Sequence, residues 1–264
     1  MGELDGVRIG VTAERRAEDL ISALLRYGAQ VSHAPTITIV PLAEDPELRL
    51  STEAVLAAPV AFTAVTTGAG FRGWLAAADG WGLKNDLLTT LGSSRIFARG
   101  PKAVGAVRGA GLREEFSAPG ESNAELFAAL VSAGVVDSRV AVQLHGAPLP
   151  EFTGQLVGAE VVAVQPYRWH SPADTAPVLS LAHDIQAGEV DALVFTSAPA
   201  ATNFLTLTAG TGALDVVRTG RIKTFCVGPV TAAPLEAQGI PTCQPDRQRL
   251  GALVKLVVST LGRA

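Results

Sequence analysis

Sulfur and metal ligands are scarce in this chain: two cysteines, one methionine and four histidines are spread over 264 residues. His33, His145, His170 and His183 stand apart, with no paired cysteine or carboxylate spacing, so no metal site is expected. The start of the chain has no basic n-region, apolar h-region and small-residue cleavage pattern, so no secretory signal is read. Cys226 and Cys243 are therefore expected to be reduced thiols of a cytoplasmic, soluble protein. No apolar run approaches the ~20 residues that cross a bilayer, which excludes a membrane-spanning segment. Charge is thin as well. Only 17% of residues are charged, and the net charge of −4 gives no basic excess to neutralise phosphates, so no nucleic-acid partner is expected. What the chain has in quantity is apolar surface: 48% hydrophobic residues and a mean hydropathy of +0.30 exclude disorder and can fill one large core or two moderate ones.

Short apolar runs alternate with helical periodicity from end to end. Val7–Thr12, Ala61–Thr67, Arg139–Leu144 and Ala192–Ser197 read as strands, and segments with one apolar face follow them. Leu20, Leu24 and Tyr27 share one such face ahead of Gly28, and Leu126, Phe127, Leu130 and Val131 share another. Residues 30–41 and 159–169 read as extended connectors, residues 43–59 as a polar stretch with one short helix, residues 114–122 as a polar loop, and 249–261 as a terminal helix. Strands separated by helices throughout predict an α/β protein with mostly parallel sheets.

Three of these elements occur twice in the same order. Ile9-Gly10-Val11 returns as Val140-Ala141-Val142, Thr66-Thr67 as Thr196-Ser197, and the turn Gly100-Pro101 as Gly228-Pro229. Three matches in one order point to an internal repeat. Two small α/β domains are its expected product, with a ligand expected where domains meet. The repeat leaves open whether the domains are tandem halves or interleaved. Both extended stretches follow the first element of a repeat, where a chain crossing to another domain needs a connector.

Hydroxyls collect where strands end and helices begin: Thr66, Thr67 and Gly68 after one strand, Thr196 and Ser197 after another, and Gly228 with Thr231 after a third. Such turns present backbone N–H groups and short hydroxyls to anions, although helix capping selects the same residue types. Tyr167, at the end of the second extended stretch, carries a phenol that can donate a proton near neutral pH. Gly68, Gly70 and Gly73 have a nucleotide-loop spacing without the acidic residue that would follow it, which is weak support for a nucleotide site. Cys226 reads as core, and His145 as a loop histidine after a strand.

Taken together, Phe195-Thr196-Ser197, Val227-Gly228-Pro229-Val230-Thr231-Ala232 with Leu235 and Gly239-Ile240, and Tyr167 resemble the uroporphyrinogen-III synthase family. The resemblance implies two flavodoxin-like parallel-sheet domains joined by a two-stranded linker, one of them discontinuous. The first would hold residues 1–36 and 170–264, the second 42–160, with 37–41 and 161–169 as the crossing strands. It also implies a cofactor-free lyase that closes the linear tetrapyrrole hydroxymethylbilane, with inversion of its last ring, to uroporphyrinogen III and water. Tyr167 matches the family's linker tyrosine and is the implied proton donor; Thr12, Arg15, Thr66, Thr67, Gly68, Lys102, Thr196, Ser197, Gly228 and Thr231 are the implied contacts to a substrate with eight carboxylates. The chain departs from the family twice: Ala103 stands where a hydroxyl matching Thr231 is often found, with Lys102 and Arg99 beside it as substitute charges, and Val11-Thr12-Ala13-Glu14-Arg15-Arg16 replaces a Val-Thr-Arg-Pro turn. These departures motivate an alternative, a tetrapyrrole-sensing module of the same fold without turnover. A monomer is expected, since no heptad or exposed apolar helix face stands out.

Overall fold

The structure is a computed structural model and describes residues 2–262. In chain order its elements are β1 (Arg8–Val11), α1 (Ala17–Arg26), β2 (Gln30–His33), β3 (Thr38–Pro41), α2 (Pro46–Leu56), β4 (Phe62–Val65), α3 (Gly68–Gly80) and α4 (Lys84–Gly92). There follow β5 (Arg95–Ala98), α5 (Pro101–Gly109), β6 (Glu114–Ser117), α6 (Asn123–Ser132), β7 (Arg139–Gln143), α7 (Pro150–Thr153), β8 (Glu160–Val164) and β9 (Tyr167–His170). The chain ends with α8 (Ala176–Ala187), β10 (Ala192–Phe195), α9 (Ala198–Leu207), α10 (Ala213–Arg218), β11 (Lys223–Cys226), α11 (Pro229–Glu236), β12 (Thr242–Cys243) and α12 (Leu250–Leu261). No helix among the described residues is long and apolar enough to cross a membrane.

Two compact units result, one of Met1–Thr38 with His170–Ala264 and one of Ile39–Trp169. The first contains a five-stranded sheet of order β12-β11-β10-β1-β2, the second a five-stranded sheet of order β6-β5-β4-β7-β8, and every neighbouring pair in both is parallel. β3 and β9 pair in a two-stranded sheet of their own, where the chain passes between units. The fold is thus α/β with two parallel sheets, and the repeats are interleaved: β1 and β2, from the first repeat, share a sheet with β10 and β11 from the second. β7 and β8 make the reciprocal exchange.

Local sequence explains these placements. All four residues of β4 and all four of β10 are buried, as a strand covered by helices on both faces requires. In the second unit Phe71, Trp74, Leu75 and Ala78 recur along α3 at helical spacing and close one face of the sheet, while Leu126, Phe127 and Leu130 of α6 close the other against Val140 and Val142 of β7. In the first unit Leu181, Phe204 and Leu235 cover one face and Leu20, Leu24 and Leu253 the other. Cys226 is fully buried, and burial, then Glu236 and Cys243, pushes its thiol up to about 12, consistent with a core position.

Three expectations are corrected. Residues 30–33, read as part of an extended connector, form β2 at the edge of the first unit's sheet, parallel to β1. Residues 114–117, read as polar loop, form the edge strand β6; Phe116 packs on Phe97 at 5.7 Å between ring centroids, and Glu114 and Glu115 pair with Arg108 and Arg95. An edge strand tolerates this charge because one side meets no further strand. Residues 161–164, read as linker, belong to β8 at the opposite edge of the same sheet.

Candidate functional site

In the second unit the strand order reverses between β4 and β7, and open parallel sheets bind ligands at the carboxyl ends of strands flanking such a reversal. The residues that leave those ends form one hydrogen-bonded group. Thr66 donates its hydroxyl to the Gln143 carbonyl at 2.7 Å. Gln143, fully buried, accepts from the Thr67 backbone N–H at 3.0 Å and donates from Nε2 to Thr67 Oγ1 at 3.4 Å and to the Leu144 carbonyl. Thr67 also caps α3, accepting from the Gly70 N–H at 3.1 Å. Its hydroxyl oxygen lies 3.4 Å from the Tyr167 hydroxyl.

A donor and acceptor count orients that last contact. Thr67 Oγ1 has two lone pairs, and Gly70 and Gln143 occupy both. The Thr67 proton is then directed to the Tyr167 oxygen, which leaves the phenol's own proton free for another acceptor.

Gly146 holds the tyrosine ring in place. It follows β7 with φ +85°, and a Cβ built there would meet Trp169 Cδ1 at 2.6 Å and Tyr167 Cε2 at 2.8 Å. Both aromatic side chains of β9 therefore lie against a bare backbone. Gly146→Ala is expected to destabilise the second unit by about 2–4 kcal/mol, combining the left-handed backbone with the overpacking; chemical denaturation of the two proteins measures it, and equal midpoints would refute the packing.

Arg99 ends β5 beside this group. It is half-buried, hydrogen-bonds Asn123 Oδ1 at 3.5 Å, and feels the fields of Tyr167 and Glu121, while desolvation lowers its pKa. His145 follows β7 with a buried Nδ1 that has no partner among the described residues. Burial, then the charge of Arg99, pushes His145 down to about 4, so the imidazole is neutral at pH 7. The unfolded chain binds a proton near pH 6.5 and the native site resists it to about 4, so stability falls as pH drops through that window. His145→Asn is expected to remove about 3 kcal/mol of this pH dependence between pH 7 and 4, checked by denaturation across the range; parallel curves for the two proteins would contradict it.

In the first unit the equivalent reversal lies between β1 and β10. Thr12 is fully buried and donates its hydroxyl to the Val194 carbonyl at 3.1 Å. Ser197 caps α9 through the Ala200 N–H at 3.4 Å, Thr196 is half-buried, and Thr231 is buried in the first turn of α11. The Gly228 backbone lies under the Gln248 side chain. Glu14 Oε2 is buried without a partner among the described residues, one repeat away from His145.

The family described as Uroporphyrinogen-III synthase HemD matches residues 18–255, which is most of the chain. The chain belongs to the uroporphyrinogen-III synthase family. Its structure is similar to a mutant uroporphyrinogen III synthase from the extremely thermophilic bacterium Thermus thermophilus, with TM-score 0.81 at 28% identity over 97% of this chain and 98% of that one. The wild-type protein from the same organism gives TM-score 0.66 at 30% identity over the same shares. In sequence the chain is 28% identical to the uncharacterized protein YjjA of Bacillus subtilis (strain 168), over 94% of each.

The structure sorts the residues named from sequence. Thr67, Gly68 and Tyr167 come together in the second unit, where Gly68 lies against the Lys102 carbonyl with no room for a Cβ. Thr12 and Thr66 face inward, and their hydroxyls are committed to carbonyls of neighbouring strands. Arg15 and Lys102 are exposed. Sequence reading did not single out Gln143 or Gly146, and it gave His145 and Arg99 little weight; a glutamine closing an apolar strand was the available signal. Among the described residues no three His, Cys, Asp or Glu side chains are grouped to hold a metal.

Proposed function

We propose that this chain is a uroporphyrinogen-III synthase and that Tyr167 is its proton donor. The observation that carries the reading is the phenol of Tyr167, oriented by Thr67 and backed by Gly146, with no acceptor for its proton among the described residues. Family membership supplies the reaction class.

In this reading Tyr167 protonates the terminal hydroxyl of hydroxymethylbilane, which leaves as water and generates an azafulvene cation. The substituted carbon of the last ring attacks the cation, the resulting spiro intermediate rearranges, and the ring closes. The carbon that rearomatises last releases a proton, which restores the phenol. Protonation of a poor leaving group is the step a side chain can accelerate directly; the remainder depends on holding the chain so that the inverted closure outruns the direct one. Thr67, Thr196, Ser197, Gly228 and Thr231 are assigned to the substrate's carboxylates through hydroxyls and helix N-termini, with Gly68 setting the packing of α3 on the Lys102 carbonyl behind them. Thr12 and Thr66 support these turns from behind.

A strain lacking its own synthase, and dependent on added haem, provides the test. Expression of this chain should restore growth without haem. Continued dependence, with folded protein present in the cells, would favour the second reading, a tetrapyrrole-binding module without turnover. The buried methyl of Ala103, in place of a hydroxyl, is the observation behind that alternative.

A further inference from the structure

Four cationic side chains among the described residues are half-buried: Lys84, Arg99, Arg139 and Arg168. Three have carboxylate partners, with Lys84 on Asp79 at 3.1 Å, Arg139 on Glu160 at 2.7 Å and Arg168 on Glu47 at 2.8 Å. Arg99 has none. Glu121 acts on it through its field, but no carboxylate among the described residues comes within ion-pair distance, and the single hydrogen bond to Asn123 is long. An unpaired cation held out of water is costly, so its retention here calls for an anion that arrives from outside the fold.

Its position specifies that anion. Arg99 stands at the carboxyl end of β5, adjacent to β4 whose end carries Thr67, and directly before the Gly100-Pro101 start of α5. The first turn of α5 carries a buried methyl at Ala103, whereas the corresponding turn of α11 carries the Thr231 hydroxyl. A guanidinium is a planar fork that matches a carboxylate through two parallel hydrogen bonds.

We propose that Arg99 anchors a ligand carboxylate in the second unit, supplying by charge what position 103 lacks in hydrogen bonding. The inference rests on the reading that the ligand is a polycarboxylate tetrapyrrole. It separates Arg99 from Lys102, which is exposed and projects from the next turn.

Uroporphyrin III, the oxidised product, is a stable probe with eight carboxylates, and its fluorescence on titration with the whole protein gives affinity without turnover. Arg99→Gln should weaken binding about tenfold or more, as loss of a charge-assisted bidentate pair does. Arg99→Lys, which keeps the charge and loses the fork, should fall between, and Arg113→Gln, which removes an exposed charge beyond the carboxyl end of α5, should change affinity less than about twofold. Thermal melting separates an anchor from a structural group: Arg99→Gln should melt at or above the wild-type temperature, because an unpaired buried charge is removed. Unchanged affinity in Arg99→Gln, or weaker binding with a lower melting temperature, would overturn the anchor while leaving the synthase reading intact. A wild-type protein that does not bind the probe would remove the tetrapyrrole reading, and the anchor with it.

Discussion

Tyr167→Phe is expected to lower turnover of hydroxymethylbilane about a hundredfold or more while leaving affinity for uroporphyrin within about threefold. General acid catalysis contributes on this scale when the leaving group is poor. The ring itself is retained, so the packing against Gly146 survives. Thr67 loses one long acceptor at 3.4 Å and keeps its bonds to Gly70 and Gln143, so the turn stays formed and the stability change should remain near 1 kcal/mol or less. Parallel measurement of single-turnover rate, product affinity and melting temperature separates the cases. A rate equal to wild type would remove the tyrosine's role, and a loss of affinity equal to the loss of rate would make it a binding group.

The largest effect on stability is expected at Trp74. This side chain is fully buried in the middle of α3, packs edge-on against Phe71 at 6.4 Å between centroids, and donates its indole N–H to Thr52 Oγ1 at 2.9 Å. Trp74→Ala should cost about 3–5 kcal/mol, the range for emptying a large aromatic site. Thr52 keeps its own bond to the Leu48 carbonyl, so the cavity dominates over any orphaned hydroxyl. Because α3 is the helix that Thr67 caps, loosening it should also reduce turnover. The loss should appear in the unfolding of residues 39–169, followed by hydrogen exchange of β4 and β5 amides, with β10 and β11 unaffected. Uniform loss of protection in both sheets would show that the units unfold together.

Which parts of this arrangement sequence could express follows from local chemistry. β4 and β10 are continuous apolar runs ending in hydroxyls, and the Gly-Pro turns of α5 and α11 are explicit, so repeat and fold class are written in short windows. β6 was hidden because Glu114 and Glu115 serve as edge-strand partners for arginines from β5 and α5, a tertiary use that composition cannot report. Hydroxyls posed a related difficulty. Thr66 and Thr67 are adjacent and identical, yet the first bonds inward to β7 and the second meets Tyr167, a distinction set by the alternation of the strand and the register of β4 on β7. Arg99 and Lys102 likewise read as equivalent charges near one turn. Only packing shows that Arg99 is half-buried while Lys102 stands in solvent.

Glycines carried similar ambiguity. Gly68, Gly70 and Gly73 resembled a nucleotide loop, but the structure uses Gly68 for the approach of α3 to the Lys102 carbonyl and Gly70 for the approach of Gln143. Gly146 has no motif around it; its requirement comes from aromatic rings well further along the chain, so it was legible only after β7 and β9 had been placed.

Turnover with inversion of the last ring is tested most directly by product-isomer analysis. Freshly prepared hydroxymethylbilane is incubated with the purified protein, quenched by oxidation, and the uroporphyrin isomers are resolved chromatographically. Uroporphyrin III should dominate and rise in proportion to protein concentration, with Tyr167→Phe shifting the balance toward the spontaneous type I isomer. Type I alone at every protein concentration would contradict synthase activity.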